Sequence, residues 1–248
     1  MRYLIQLSYN GSFFHGWQIQ PNAISVQQKL EEGLSLILNE KLIKVIGASR
    51  TDTGVHAKEM YAHFDYSKLI DSQMLIFKLN SFFGDKIFIK KIRKVIPEFH
   101  SRFDANSREY KYYITQKKDI FNTATKYYCK KNLDFEKIDL AIKVIKNTKN
   151  FKSFCKSNSG VSNYECDIID FYYEIDSSNI IFTIQANRFL RNMVRSIMGT
   201  VIEIGIGKTT LEELKYIITK SNRIYAGPSL PAHALFLEKI SYSKDIYL

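Results

Sequence analysis

Cysteine is scarce: the 248-residue chain has three, Cys129, Cys155 and Cys166, and none forms a Cys-x-x-Cys unit. An odd number at such spacings excludes a disulfide framework and a thiolate zinc site, and makes a reducing cytosol the default compartment. Long apolar runs are also missing; none approaches the roughly 18 residues that a membrane helix needs. The opening Met1-Arg2-Tyr3-Leu4-Ile5-Gln6-Leu7 alternates, where a signal peptide would carry an apolar block before a small-residue cleavage site. There is no metal-spaced His/Cys cluster, no phosphate-cradling glycine loop, no low-complexity segment and no sequence repeat. The expectation is a soluble, cytoplasmic, metal-free protein.

Apolar residues make up 45% of the chain and charged residues 25%, enough to fill a core and to exclude disorder. Thirty-six Lys and Arg against 25 Asp and Glu leave a net charge of +11. The excess is spread out: residues 1–104 carry 14 basic and 10 acidic side chains, residues 105–248 carry 22 and 15. A basic surface on a folded chain attracts polyanions, nucleic acid first and acidic membranes second. A lysine-rich composition of low-GC coding would give the same number, so charge alone leaves both readings open.

Residues 2–9 alternate with Tyr3, Ile5, Leu7 and Tyr9 on one face, the period of a strand. Ser25-Val26-Gln27-Gln28 has the form of a capping box, and Val26, Leu30, Leu34, Ile37 and Leu38 follow at helical spacing. Leu42 to Ala48 reads as a buried strand, Glu59 to Tyr66 as another, residues 71–82 as a helix and Ile87 to Ile96 as a strand. The order is β-α-β-β-α-β. After a boundary near Asp104–Ser107 the pattern returns: a strand over 108–114, and a helix over 134–147 with Ile138, Ala141, Ile142 and Ile145 on one face. Strands near 164–176 and 179–186, a helix carrying Phe189, Met193, Ile197 and Val201, a short helix from Thr210 and a strand over 236–242 complete it. The fold class expected is α+β: two split-βαβ, RRM-like halves (residues 1–105 and 106–248) with antiparallel sheets and a basic cleft between them.

The most unusual stretch is Gly47-Ala48-Ser49-Arg50-Thr51-Asp52-Thr53-Gly54-Val55-His56-Ala57. A strand runs into a polar turn between two glycines, which displays Asp52 at a strand end. Arg50 lies two residues earlier, near enough to favour the ionised carboxylate. Such a carboxylate can serve as nucleophile or general base, and an ordinary Asx-turn with a surface ion pair is the plainer reading.

Arg50-Thr51-Asp52-Thr53-Gly54-Val55-His56-Ala57 resembles the signature of the TruA family of tRNA pseudouridine synthases, which usually reads Arg-Thr-Asp-Ala-Gly-Val-His-Ala. Tyr9-Asn10-Gly11 with Gly16-Trp17-Gln18, Ser25-Val26-Gln27, Phe99-His100-Ser101-Arg102-Phe103 and Arg108-Glu109-Tyr110-Lys111-Tyr112 resemble further family segments. So do Ala186 to Leu190, Met193 to Gly199, Gly227-Pro228 and Pro231-Ala232-His233, all in the family's order. Departures are Thr53 for Ala, Phe83-Gly84 for Leu-Pro, Lys86 for Asp, Ala234 and Phe236 for Gly and Tyr, and a missing Arg-Thr-Ile near Tyr164 to Ile168.

The resemblance implies an isomerase without cofactor or metal. It would convert uridine to pseudouridine at positions 38, 39 and 40 in the anticodon arm of tRNA, as a homodimer. Asp52 is then the catalytic residue, adding to the sugar or base or taking a sugar proton to give a glycal. Tyr110 matches the family's active-site tyrosine and would stack on the uracil, while Tyr112 and Tyr113 keep a core reading. Arg50 would enter the vacated stack or contact phosphate. Arg195 sits on an otherwise apolar helix and needs a partner, for which Asp52 is the natural candidate and a surface position the alternative. His56, His63 and His100 are too scattered for a metal triad and read as structural, His56 fixing the Asp52 turn. Lys90, Lys91, Arg93 and Lys94 could contact phosphates or simply line a solvated edge strand. Two other classes compete. A non-catalytic RNA-binding protein would not need the Arg50–Asp52 loop, and an aspartate-nucleophile phosphatase would need metal-binding carboxylates that are absent beside Asp52.

Overall fold

Alternation at the N-terminus does build a strand, β1 (Arg2–Tyr9), which buries Tyr3, Ile5, Leu7 and Tyr9. Leu4, on the opposite face, is buried too, because the C-terminal turn brings Ile246 onto it together with Val95 and Phe99. The computed structural model describes residues 1–248 and resolves into two compact units, one of residues 1–107 with 237–248, the other of residues 108–236.

In the first unit, β1 lies antiparallel between β3 (His56–Asp65) and β4 (Ile87–Val95). Each pairing contains a one-residue bulge. Gln6 faces Lys91 while Leu7 faces Ile89, so Lys90 is extra and the basic pair Lys90-Lys91 is exposed together. β4 is the edge strand of the order β4-β1-β3, with its cationic residues in solvent. The C-terminal strand β9 (Leu235–Ser241) pairs on the other side of β3.

The helix α1 (Val26–Ile37) starts at Ser25, whose hydroxyl accepts from the Gln28 amide at 3.2 Å. Only half of the expected capping box forms, since the Gln28 side chain donates forward to Glu32 at 2.9 Å. The chain after this helix departs from its strand-like pattern. From sequence, Leu42 to Ala48 is a buried strand; only β2 (Ile46–Gly47) pairs, against β3. The preceding backbone is satisfied by α1 side chains. Ser35 Oγ accepts from Ile43 N at 2.8 Å, Glu31 accepts from Val45 N at 3.0 Å, and Gln27 donates to Val45 O at 3.0 Å. Ile43 and Val45 are buried without a partner strand, so their apolar content misleads. The helix α2 (Ser72–Phe83) is capped by Asp71, which accepts from Gln73 N and Met74 N, and it buries Leu75, Leu79 and Phe83. Phe83-Gly84, unusual for the family it resembles, is a helix stop: Gly84 takes φ +56° and donates to Asn80 O.

In the second unit, β5 (Ser107–Thr115), β8 (Asn179–Ala186) and β7 (Ile168–Asp176) form the antiparallel order β5-β8-β7, and the short β6 (Tyr127–Tyr128) adds parallel to the end of β5. The helix α3 (Phe135–Lys146) buries Ile138, Ala141, Ile142 and Ile145, the four residues its periodicity selects. In α4 (Met193–Gly205) every residue except Arg195 and Glu203 is buried, as expected of a helix enclosed on nearly all sides. Phe189 lies ahead of this helix and not on it. The helix α5 (Leu211–Lys220) carries the complete capping box, Thr210 with Glu213. The result is a mixed α/β chain whose strands are largely antiparallel, and no helix is long and apolar enough to cross a membrane.

One buried base has a consequence for stability. His63 is 3% exposed and its Nδ1 accepts from Ser101 N at 3.1 Å. Burial, then the nearby charges of Arg2 and His100, push its imidazole down to about 4. The folded chain therefore holds it neutral while the unfolded chain protonates near 6.5. That contribution is complete above 6.5 and is lost as pH falls through the window down to about 4. The melting temperature is expected to drop by several degrees across this window, and His63→Gln to flatten that part of the profile. Loss below 3.8 belongs instead to carboxylates such as Asp65, which its hydrogen bonds to Arg2 hold low.

Candidate active site

The strand pair β2–β3 delivers the chain to Asp52. After Gly47, the Ala48 amide still donates to Tyr61 O at 2.8 Å; then the backbone leaves the sheet. It turns back over Asp52 to Val55, with Val55 N donating to Asp52 O at 3.1 Å and Gly54 at φ +79°, the sign a type II turn requires there. β3 begins at the next residue. Asp52 is half-buried, Thr51 buried, and Arg50 and Thr53 exposed. The hydroxyl of Thr53 thus points no burial problem at the carboxylate beside it.

This loop does not float. The segment after β1 lies directly on it. Trp17 N donates to Thr51 O at 3.2 Å and Gly54 N to Phe14 O at 3.4 Å. The Tyr9 hydroxyl and Thr51 Oγ1 share a buried hydrogen bond of 2.8 Å. Gly11 N donates to His56 Nδ1 at 3.2 Å, which makes that nitrogen an acceptor and gives the buried His56 a structural part. The approach is too close for side chains. A Cβ on Gly11 would lie 2.1 Å from Val55 O, and one on Gly16, at φ +89°, 2.6 Å from Thr51 O. The Tyr9 ring packs against those of both Phe14 and Trp17.

Tyr110 and Arg195 belong to the second unit. Tyr110 sits on β5 opposite Ile184, 5% exposed, with its ring edge-on to Phe189 at 5.2 Å. Arg195 is half-buried, and its Nε donates to Leu230 O at 2.7 Å while Leu230 N donates to Arg195 O at 3.1 Å. A backbone carbonyl is therefore one partner of this cation, a partner no pattern of charges in the sequence reveals. The chain from Gly227 to Pro231 can lie on α4 because Gly199 has no side chain; a Cβ there would meet Pro228 O at 1.7 Å. Tyr112 donates to Pro231 O at 2.8 Å, and burial pushes its phenol up against the opposing charge of Arg195.

Arg108 is 7% exposed and donates to Asn187 O at 2.7 Å, two residues before Tyr110 and so on the same face of β5. Asn187 in turn brackets Asp167 through three bonds, from Asp167 N at 2.9 Å, to Asp167 Oδ2 at 3.1 Å and to Asp167 O at 3.1 Å. The i, i+2 spacing of Arg108 and Tyr110 was the available signal. No group of three His, Cys, Asp or Glu side chains is placed to hold a metal ion.

A family model described as tRNA pseudouridine synthase matches residues 141–243. Proteins named tRNA pseudouridine synthase A from Parabacteroides distasonis and Bacteroides fragilis are each 44% identical, over 99% of this chain and 98% of theirs. A more distant relative of the same name from Shouchella clausii is 33% identical over the whole chain and 95% of its own.

If backbone contact fixes the loop, Gly16→Ala should destabilise the chain by about 1–3 kcal/mol, through the left-handed φ and the clash with Thr51 together. Urea unfolding of parent and variant checks this. An unchanged midpoint would mean that the two segments can part at no cost.

Proposed function

The chain belongs to the tRNA pseudouridine synthase A family, isomerases that convert uridine to pseudouridine in tRNA, and on that premise we propose that Asp52 carries the bond chemistry on uridines 38, 39 and 40 of the anticodon arm. The reaction neither gains nor loses atoms. The bond between N1 of uracil and C1′ of ribose breaks, the base turns, C5 bonds to C1′, and the proton leaving C5 is balanced by one taken up at N1. Whether the carboxylate bonds to the nucleoside or takes a sugar proton, it has to be ionised and held still relative to the ribose. The observation that carries Asp52 is its turn: half-buried, closed on itself, and tied by backbone bonds to Phe14 and Trp17. That rigidity is what a preorganised catalytic group needs.

The other roles follow the same reading. Tyr110 stacks on the uracil once Phe189 gives way, Arg50 serves the exposed side of the loop as a phosphate or base contact, and Arg195 serves in substrate binding. Each half is read as a split-βαβ unit, residues 1–105 and 106–248. What supports this in the first is the order β4-β1-β3 with β2 beyond β3. The active form is a cytoplasmic homodimer. The exposed cations of β4 and the net charge of +11 suit a polyanionic substrate.

Asp52→Asn keeps the size of the side chain and removes its charge. Its single-turnover rate on an unmodified tRNA transcript is expected to fall at least about a hundredfold, with the binding constant and melting curve little changed. A folded Asp52→Asn protein that still forms pseudouridine near the parent rate would remove the assignment. Binding itself should depend steeply on salt: with about six phosphate contacts, raising monovalent salt fourfold should weaken it by about a thousandfold. A flat response would separate the charge of this chain from its substrate.

A further inference from the structure

The turn from Phe99 to Asp104 is held with unusual completeness for a loop. His100 N donates to Asp104 Oδ2 at 2.7 Å, and His100 Nδ1 accepts from Arg102 N and Phe103 N at 3.2 and 3.3 Å. His100 O accepts from Phe103 N at 3.1 Å and from Asp104 N at 3.0 Å. The turn is also fastened to the rest of its unit. Arg2 donates to Phe99 O, Tyr242 to Ser101 O, and Ser101 Oγ to Ile46 O at 2.7 Å. Ile46 belongs to β2, the strand that runs on into the Asp52 loop, so the two loops are parts of one rigid frame.

What this frame displays is a phenylalanine. Phe99 is fully buried, but Phe103 is 74% exposed. Its ring is not loose: the His100 imidazole lies against it, with centroids 4.2 Å apart and planes 31° from parallel, and the Arg102 guanidinium is 5.7 Å from its centroid. An aromatic side chain in water contributes little to the core, and the six consecutive residues Phe99 to Asp104 are ordered to keep it there. Folding gains little from that placement beyond the contacts with His100 and Arg102. A ligand with a flat π-face would gain more.

We propose that Phe103, backed by His100 and flanked by Arg102, is a stacking platform for a tRNA base lying outside its helix. This rests on tRNA being the substrate, and it deepens that reading by adding a base-binding residue outside the Asp52 loop. Unstacked RNA bases are held on aromatic rings and guanidinium planes, and here the Arg102 guanidinium lies over the Phe103 ring, so both surfaces occur together. Stacking is indifferent to base identity, so the platform gives affinity and positioning while Asp52 keeps the chemistry.

The test uses the full chain and one unmodified tRNA transcript. Phe103→Ala should weaken binding by roughly fivefold to a hundredfold, with little change in melting temperature because the ring is exposed. Phe103→Trp should bind near the parent value, and its emission should be quenched when tRNA is added. The parent, whose one tryptophan is Trp17, is titrated alongside to give the background. A parent that forms pseudouridine, a Phe103→Ala protein that binds equally well and a Phe103→Trp protein that is not quenched would together overturn this inference alone. That outcome would leave a protein partner as the occupant of the ring. A parent that neither binds tRNA nor forms pseudouridine would overturn the functional reading and this inference with it.

Discussion

The contact on which the site depends is backbone against backbone: the chain from Gly11 to Trp17 lies on the chain from Thr51 to Val55 with no side chain between them. Two glycines make the approach possible, the amides of Trp17 and Gly54 donate to carbonyls across it, and the Gly11 amide donates to the His56 imidazole at its end. Loops are usually the mobile part of a fold. This one has its polar groups consumed by a neighbour that is itself continuous with β1. The position of Asp52 is therefore set by main-chain bonds, with the side chains of Tyr9, Thr51 and His56 completing the frame. Only then can Arg50 and Thr53, both exposed, vary in contact without moving the carboxylate.

The same arithmetic of backbone groups explains where sequence patterns succeed. The buried face of α3 was legible to the residue, and its ends to within one, because a helix satisfies its own backbone and its periodicity reports only which side is buried. β1 was legible for the same kind of reason, apart from Leu4, whose burial is caused by Ile246 at the far end of the chain. Ile43 and Val45 look like strand residues because they are apolar and buried. Their hydrogen bonds go to Gln27, Glu31 and Ser35, polar side chains that a helix pattern discards as solvent-facing. Bulges are equally silent: the extra residue at Lys90 changes which face the following side chains take, and nothing in Lys90-Lys91 announces it.

The site was legible through its motifs more than through its physics. Asp52, Tyr9, Gly11, Gly16 and Trp17 sit in two segments that the family resemblance names separately, and the structure joins them. Tyr110 and Arg108 share a strand face, but burial of the Tyr110 ring against Phe189 follows from the turn after β8 and leaves no trace in β5 itself. Arg195 shows the limit most clearly. A lone cation on an apolar helix implies a partner, and charge complementarity directs attention to carboxylates. One partner is the carbonyl of Leu230, and carbonyls have no sequence signature.

The C-terminal strand adds a further constraint, because it returns to the first unit and braces it from the side away from β1. Glu59, at the bulge of β3, accepts from Gln6 of β1 at 2.9 Å and from Ile240 N of β9 at 3.2 Å. One carboxylate thus closes the gap that the extra residue opens in the ladder. From the same strand end, Tyr242 reaches Ser101 O and packs edge-on against Phe99 and Tyr61, with centroids 5.3 Å apart in each case. The Phe99–Asp104 turn is consequently gripped between β2 and the end of the chain. The hydrogen bonds that hold this turn are made by groups other than the Phe103 ring, so its exposed position suits contact with a ligand and not the packing of the turn.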